Sequence, residues 1–230
     1  PSDEVQSVQI ISVDCRNHGK SPRSNLMTYS LMASDVAETL KQLDISKAIL
    51  IGHSLGSRVA MELALSMPDS IEKLVLVDLP PMATPNPFLG VILSAVANLD
   101  LTLVKTSNDA DDMLSDAIPI DFIRAYVLKC LYEDEEGRLH WGTDIKNVQK
   151  NTDALFDGKQ ASIQLNGRAP YTSETLFIAG GESDDLKNAD MNEIRKLFPK
   201  AELRVIAGAT HFVHTDKPEE FVEIVRNFLE

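Results

Sequence analysis

The stretch that decides the fold is Lys47-Ala-Ile-Leu-Ile-Gly-His-Ser-Leu-Gly-Ser-Arg-Val-Ala-Met-Glu-Leu-Ala64. It predicts an apolar β-strand over residues 48–51, a tight turn, and a helix with small and apolar residues at helical spacing. The turn, residues 52–56, matches G-x-S-x-G, the sharp strand-to-helix turn that lifts a nucleophilic serine clear of a sheet. A side chain on either glycine would crowd the neighbouring strand or helix. We therefore predict that Ser54 is a nucleophile and that the N–H of Leu55 stabilises an oxyanion, because free N–H groups at a helix start favour negative charge.

Strands and helices alternate on both sides of this stretch. Apolar runs predict strands over residues 7–13, 71–77, 175–179 and 202–207, and helical spacing predicts helices over 29–43, 192–197 and the carboxyl terminus. Asp216 is the predicted N-cap of the terminal helix, with Pro218 in its first turn. This alternation implies an α/β protein with a mostly parallel, twisted sheet flanked by helices.

The pattern changes between residues 79 and 171, where helical segments dominate. Helices are predicted over residues 86–101, 110–118 and 121–132, and no long strand signal interrupts them. We interpret the segment 79–171 as a helical cap over the carboxyl edge of the sheet. Residues 1–78 and 172–230 then form the core domain.

The bulk composition narrows the range of partners. A net charge of −13 over 230 residues argues against a nucleic acid or an anionic membrane, since no basic stripe is available to meet phosphates. No apolar run approaches the roughly 18 residues of a membrane span, so stable membrane insertion is not expected. Cys15 and Cys130 have neither metal-site spacing nor the number that a disulfide framework needs, which favours a reducing, intracellular compartment.

A serine nucleophile needs a histidine base that an acid orients. Catalytic loops in open α/β sheets lie at the carboxyl ends of the strands. Among the five histidines, His211 follows the last predicted strand and shortly precedes a helix, which matches the chain order Ser, acid, His. His214, a few residues further on, is the alternative base. His53 lies inside the turn, where we expect its side chain to point away from that of Ser54.

Three aspartates compete for the role of the acid. Asp78 follows the strand after the serine turn, and Asp184 and Asp185 follow the next core strand. All three lie at carboxyl strand ends from which either loop reaches an imidazole, and aspartates are also common turn and cap residues at such ends. Position in the sequence leaves this choice open.

Four motifs carry a resemblance to a known family: Asp14-x-Arg16-Asn17-His18-Gly19-x-Ser21-Pro22, Met27-x-Tyr29, Gly-His-Ser-Leu-Gly and Leu-Val-Leu-Val-Asp78. With them the chain resembles α/β-hydrolase fold enzymes. More narrowly, it is similar to the α/β-hydrolase domain-containing 11 type esterases, small bacterial esterases and yeast ethanol acetyltransferases. The resemblance implies that Asp78, rather than Asp184, is the acid. It also implies a mitochondrial location in a eukaryote and a cytoplasmic one in a bacterium.

The chain departs from this family in three places. Thr210 stands where the relatives usually have glycine before the histidine, and Ser57 replaces a common glycine after the turn. The family fold normally has three strands before the strand predicted at 7–13, and the third carries a His-Gly loop that supplies a second oxyanion donor. That third strand lies between strand 7–13 and strand 48–51, and without it ladder groups would be unpaired. We therefore expect a piece of a longer protein, or a sheet completed from elsewhere.

Together these features predict a serine hydrolase that cleaves carboxylic ester or thioester bonds of small acyl substrates through an acyl-enzyme. Neither a metal nor an organic cofactor is expected, and the partner is a small-molecule substrate. Two alternatives stay open: an alcohol O-acetyltransferase that uses acetyl-CoA in the same site, and a non-catalytic ligand-binding protein on a hydrolase scaffold. The sequence does not indicate an oligomeric state.

Overall fold

The computed structural model describes residues 9–85, 87–157 and 161–230. In chain order its helices and strands are α1 (Tyr29–Gln42), β1 (Ala48–His53), α2 (Leu55–Ser66), β2 (Ile71–Val77), α3 (Pro87–Asn98), α4 (Ser107–Leu114), α5 (Asp121–Leu128), β3 (Leu131–Glu133), β4 (Leu139–Trp141), α6 (Ile145–Lys150), β5 (Thr175–Gly180), α7 (Met191–Leu197), β6 (Ala201–Ile206), α8 (Val213–Asp216) and α9 (Pro218–Leu229).

Four parallel strands form the central sheet, in the order β1-β2-β5-β6. Ile51 of β1 lies opposite Val75 of β2, Val77 of β2 lies opposite Ile178 of β5, and β5 pairs with β6 along its whole length. Because the four strands run in the same direction, their carboxyl ends meet at one edge of the sheet. The predicted α/β class, with a parallel sheet between helices, is confirmed.

The two faces of the sheet bury different sets of side chains. Leu74, Leu76 and Phe177 point to the face that packs on residues of α1, α2 and α7. Val75 and Ile178, one residue out of step with them, point to the opposite face, which α8 and α9 cover. Each fully buried side chain of this kind contributes about 1.5–3 kcal/mol relative to the exposed state. The core therefore fixes the strand register, and with it the positions of the loops at the carboxyl edge.

The strand predicted over residues 7–13 is wrong in its described part. Residues 9–13 form no strand and Ile10 is 88% exposed, whereas residues 7 and 8 lie outside the described residues. An apolar run becomes a strand only where a neighbour pairs its N–H and C=O groups. Within the described ranges nothing pairs with the free edge of β1, and Ile51 on that strand is 55% exposed.

The segment between β2 and β5 is mainly helical, as predicted, but it also contains an antiparallel hairpin. The helix predicted over residues 121–132 ends at Leu128, and β3 then pairs with β4, with Tyr132 opposite His140. The Asp134 side chain closes the hairpin by accepting hydrogen bonds from the N–H groups of Glu136 and Arg138. Strands of three residues are too short for an alternating pattern to predict them.

Arg58 ties this segment to the core. It lies on α2 and is fully buried, and its guanidinium donates hydrogen bonds to the carbonyl oxygens of Pro80 (3.0 Å), Met82 and Leu155 (3.3 Å). Tyr29 of α1 donates to the same Leu155 carbonyl at 2.5 Å. One planar side chain thus joins the helix after the serine turn to the loop after β2 and to the turn at Leu155.

We expect Arg58→Met to lower the free energy of unfolding by about 3 kcal/mol, because the carbonyl groups of Pro80 and Met82 lose this donor and the Leu155 carbonyl loses one of the two donors described above. Arg204→Met is the matched control, since Arg204 is exposed and pairs with the exposed Glu202 at 3.3 Å; its effect should stay within about 0.5 kcal/mol. Urea denaturation of both variants measures the difference. Equal midpoints for the two variants would refute the tethering role of Arg58.

Candidate active site

The serine turn is strained in the way that its sequence motif requires. Ser54 separates β1 from α2 and has a φ of 53°, in the left-handed region that side chains disfavour. Its N–H donates to the carbonyl of Val77 at 3.0 Å, which fixes the turn to β2. A Cβ on Gly52 would come within 2.3 Å of the Gly56 carbonyl oxygen, so the first glycine is required. The prediction that a side chain would also clash at Gly56 is wrong, because a Cβ there would meet open space.

Two neighbours of Ser54 complete the turn. Leu55 is the first residue of α2, so its N–H belongs to the free donors of the first helical turn. The Ser57 hydroxyl donates to the Gly52 carbonyl at 2.7 Å and accepts from the Val77 N–H at 3.0 Å. The serine at position 57 therefore adds hydrogen bonds between the turn and β2 that glycine could not form.

His211 lies at the same edge of the sheet as Ser54, because it follows β6 and Ser54 follows β1. Its Nδ1–H faces the Oδ2 atoms of Asp78, at 2.9 Å, and of Asp185, at 3.2 Å. Asp78 is fully buried, and its second oxygen accepts the Gly180 N–H at 3.0 Å. This arrangement fixes the imidazole through Nδ1 and leaves Nε2 for proton transfer.

The three candidate acids thus separate by position. Asp78 and Asp185 both reach His211, but the side chain of Asp184 is 89% exposed and pairs with Lys187 at 3.3 Å. Sequence reasoning placed both loops at this edge of the sheet but could not tell adjacent aspartates apart, because their directions depend on the loop backbone.

The electrostatics of His211 favour its charged form. Burial by itself would lower the pKa of His211, but the hydrogen bonds to Asp185 and Asp78 outweigh that effect and raise the pKa to about 9. In return, the hydrogen bond from His211 holds the pKa of Asp185 below its usual range. An imidazole with two carboxylate partners is a strong base, and the cation that it forms on protonation is stabilised.

Residues 2–224 match the family described as the alpha/beta hydrolase family. The chain belongs to this family. Mouse sn-1-specific diacylglycerol lipase ABHD11 is 34% identical over 96% of this chain and 71% of its own length. Esterase YbfF of Escherichia coli strain K12 is 30% identical over 99% of this chain and 85% of its own length. Ethanol acetyltransferase 1 of Wickerhamomyces ciferrii is 28% identical over 98% of this chain and 62% of its own length.

A solved structure named marine microorganism esterase has the same fold, with a TM-score of 0.86 at 30% sequence identity. The comparison covers 94% of this chain and 82% of the other. The predicted resemblance is therefore confirmed, and these esterase and lipase relatives support an enzyme of that class. None of the described helices combines the length and the apolar character that a membrane span requires.

In this α/β hydrolase, His53 supports His211 from one side. The His53 Nε2–H donates to the His211 carbonyl at 2.8 Å, and the His53 ring lies 4.8 Å from the rings of both His211 and His214. Burial, followed by the charge of His211, lowers the pKa of His53 to about 4. His53 is therefore neutral and positions the His211 backbone. Sequence reasoning missed this contact because it joins residues 158 positions apart.

The loop that carries His211 is held by Asp216, for which the sequence analysis predicts a different role. Asp216 is not the N-cap of α9, which begins at Pro218 after Lys217. Instead, its carboxylate accepts hydrogen bonds from the Thr210 N–H at 2.8 Å and the Thr210 hydroxyl at 2.5 Å. The threonine in place of the family's glycine thus adds a hydrogen bond immediately before His211.

Within the described part of the chain, one set of side chains offers three potential metal ligands within 4.8 Å, and it consists of Asp78, Asp185 and His211. The same atoms are already paired with one another at hydrogen-bond distances. These three side chains therefore form a site in which two carboxylates orient an imidazole. The chemistry proposed below needs no metal.

Proposed function

We propose that this hydrolase cleaves carboxylic ester or thioester bonds of small acyl substrates through an acyl-enzyme intermediate. Ser54 is the nucleophile, His211 the general base and Asp78 the acid that orients it. The observation that carries the proposal is the buried Asp78 carboxylate 2.9 Å from His211 Nδ1, at the sheet edge where the strained turn holds Ser54. A non-catalytic hydrolase-like protein has no need of this combination of strain and a buried charged pair.

In the first step, Nε2 of His211 accepts the proton of the Ser54 hydroxyl while the oxygen attacks the substrate carbonyl carbon. The C=O electrons move to the carbonyl oxygen, and the Leu55 N–H stabilises this oxyanion. When the oxyanion collapses, the C–O or C–S bond breaks and His211 returns its proton to the leaving alcohol or thiol. Water, deprotonated by His211, then attacks the acyl carbon; the bond from this carbon to Ser54 Oγ breaks, the carboxylic acid leaves, and His211 returns the proton to Ser54.

We propose that residues 79–171 act as a cap that shapes the acyl pocket. The Tyr126 ring, on α5, lies 4.2 Å from the ring of Phe212, the residue that follows His211. The ring centroid of Phe122, on the same helix, lies 6.3 Å from that of Phe212. Aromatic side chains beside the proposed base favour an apolar acyl or alcohol group over a charged one.

A second candidate is transfer of the acyl group from acetyl-CoA to an alcohol in the same site. The similarity to ethanol acetyltransferase 1 favours it, since an alcohol that replaces water in the second step gives an ester instead of an acid. The two reactions share Ser54, His211 and Asp78 and differ only in which nucleophile reaches the acyl-enzyme.

The test is a substrate panel: p-nitrophenyl esters of increasing chain length, acetyl-CoA alone, and acetyl-CoA with ethanol. We expect hydrolysis of the short esters, and ethyl acetate above the water background would identify the transferase. Thermal stabilisation by esters without turnover of any substrate would instead indicate a ligand-binding protein and refute the proposal.

Gly180 offers a test of the base's position that changes no charged group. A Cβ there would lie 2.2 Å from the backbone oxygen of Thr210, so Gly180→Ala must move the His211 loop. We expect kcat/KM for ester hydrolysis to fall about 100-fold, the usual effect of a displacement near 1 Å in a catalytic group. Gly90→Ala in α3 is the control, because its Cβ would meet open space, and it should hydrolyse esters like the parent chain. Equal activity of the two variants would show that this loop does not carry the base.

A further inference from the structure

We propose that Asp185 is a second carboxylate partner of His211, a positioning residue that shares the Nδ1 proton with Asp78. The inference deepens the proposed function and rests on it, in that His211 is taken to be the general base. The loop after β5 then helps to orient His211, a role that Asp78 would otherwise have alone.

The geometry at Nδ1 is the first support. Asp78 approaches from the end of β2 and Asp185 from the loop after β5, with oxygen-to-nitrogen distances of 2.9 and 3.2 Å. The Asp78 distance is that of a charge-assisted hydrogen bond, and the Asp185 oxygen lies within ion-pair distance of the same nitrogen, so both carboxylates face one N–H. The two acids differ in exposure, because the Asp78 side chain is buried and that of Asp185 is 36% exposed.

The loop around Asp185 is held in place independently of His211. The Ser183 hydroxyl lies 3.3 Å from the Asp185 N–H and 3.4 Å from its carboxylate, and the Leu186 side chain is fully buried. Lys187 donates to the Gly181 carbonyl at 2.9 Å and so closes the loop. The carboxylate is therefore aimed at the imidazole by packing, which sets it apart from its exposed neighbour Asp184.

A second carboxylate partner affects the protonation of His211 in two ways. A second negative charge makes the imidazole harder to deprotonate, so the neutral base becomes abundant only at higher pH. It also keeps Nδ1 protonated when Asp78 is neutralised, which preserves the tautomer that presents Nε2 as the base. Other charged or titratable groups around the pair are His53 and His214 beside His211, Arg58 near Asp185, and Lys129 and Asp216 near His214.

The experiment compares Asp185→Asn with Asp184→Asn, a matched pair that removes one charge from adjacent positions of one loop. The His211 imidazole is titrated by proton–nitrogen NMR, and kcat/KM for p-nitrophenyl acetate is measured from pH 5 to 10. For Asp185→Asn we expect both midpoints to move down by about 1 pH unit, the lower end of the effect of a nearby opposite charge. For Asp184→Asn we expect neither to move. Equal midpoints in the two variants would overturn the proposal.

A double replacement gives an independent readout. Because Asp185 keeps Nδ1 protonated, Asp78→Asn should retain at least about 10-fold more activity than Asp78→Asn/Asp185→Asn. Equal activity of these two variants would overturn the shared role. If the double variant does not fold, the single Asp185→Asn titration still decides.

The NMR titration also separates this inference from the proposed function. It reads the pairing without turnover, so a shifted midpoint in a chain that hydrolyses no ester would support the pairing and refute the chemistry. An unshifted midpoint in an active esterase would refute the pairing alone.

Discussion

Ser54→Ala lowers kcat/KM for ester hydrolysis by at least about 1,000-fold, because the variant retains a substrate site but has no oxygen to form the acyl-enzyme. Residual hydrolysis then comes only from the oxyanion donor and the bound water. The effect should appear in kcat with little change in KM, since the Ser54 hydroxyl contributes to the transition state more than to substrate binding.

The fold of this variant should be unaffected. The turn depends on the Ser54 N–H, which donates to the Val77 carbonyl, and not on the Ser54 hydroxyl. Ser12→Ala, at an exposed position, is a control for the loss of a hydroxyl. Turnover by Ser54→Ala equal to that of Ser12→Ala would end the proposed mechanism.

His211→Asn has the second large effect, a loss of at least about 1,000-fold in kcat/KM, because the variant loses the imidazole that the two carboxylates orient. His214 is nearby but differently placed: its ring contacts His53 and Phe221. Burial, and then the charge of His211, lower the pKa of His214. It is therefore a weaker base than His211.

The matched variant is His214→Asn, for which we expect activity within a few-fold of the parent chain. Steady-state kinetics of both variants at pH 9, where His211 is half neutral, measure the contrast most sensitively. A larger loss in His214→Asn than in His211→Asn would assign the base to the alternative that the sequence left open.

The sequence predicted those parts of the molecule that local patterns encode. The turn around Ser54 has glycine at the position where a side chain would collide with backbone, and the apolar strands around it pair only in parallel. Parallel strands bring their carboxyl ends to one edge, so residues as distant as Asp78 and His211 meet there. For this reason the order of strands and loops was enough to place both residues near one another.

What the sequence did not predict depends on contacts between distant segments. Asp184 and Asp185 are identical side chains in adjacent positions, and only the loop backbone decides which one reaches His211. His53 contacts His211 although 158 positions separate them in the sequence, and Asp216 holds Thr210 instead of capping α9. The predicted strand is absent over residues 9–13 because strand propensity has no effect without a neighbouring strand to pair with.

The most direct test of the account is the site of covalent labelling by a fluorophosphonate, which reacts with a serine only when a base activates it. After labelling of the native chain, peptide mass spectrometry should find one adduct, on Ser54, at a rate that rises with pH toward the midpoint of His211. Labelling should be lost in Ser54→Ala and strongly slowed in His211→Asn. An adduct on another residue, or an active esterase in which Ser54 stays unlabelled, would contradict the claim that this turn carries the nucleophile.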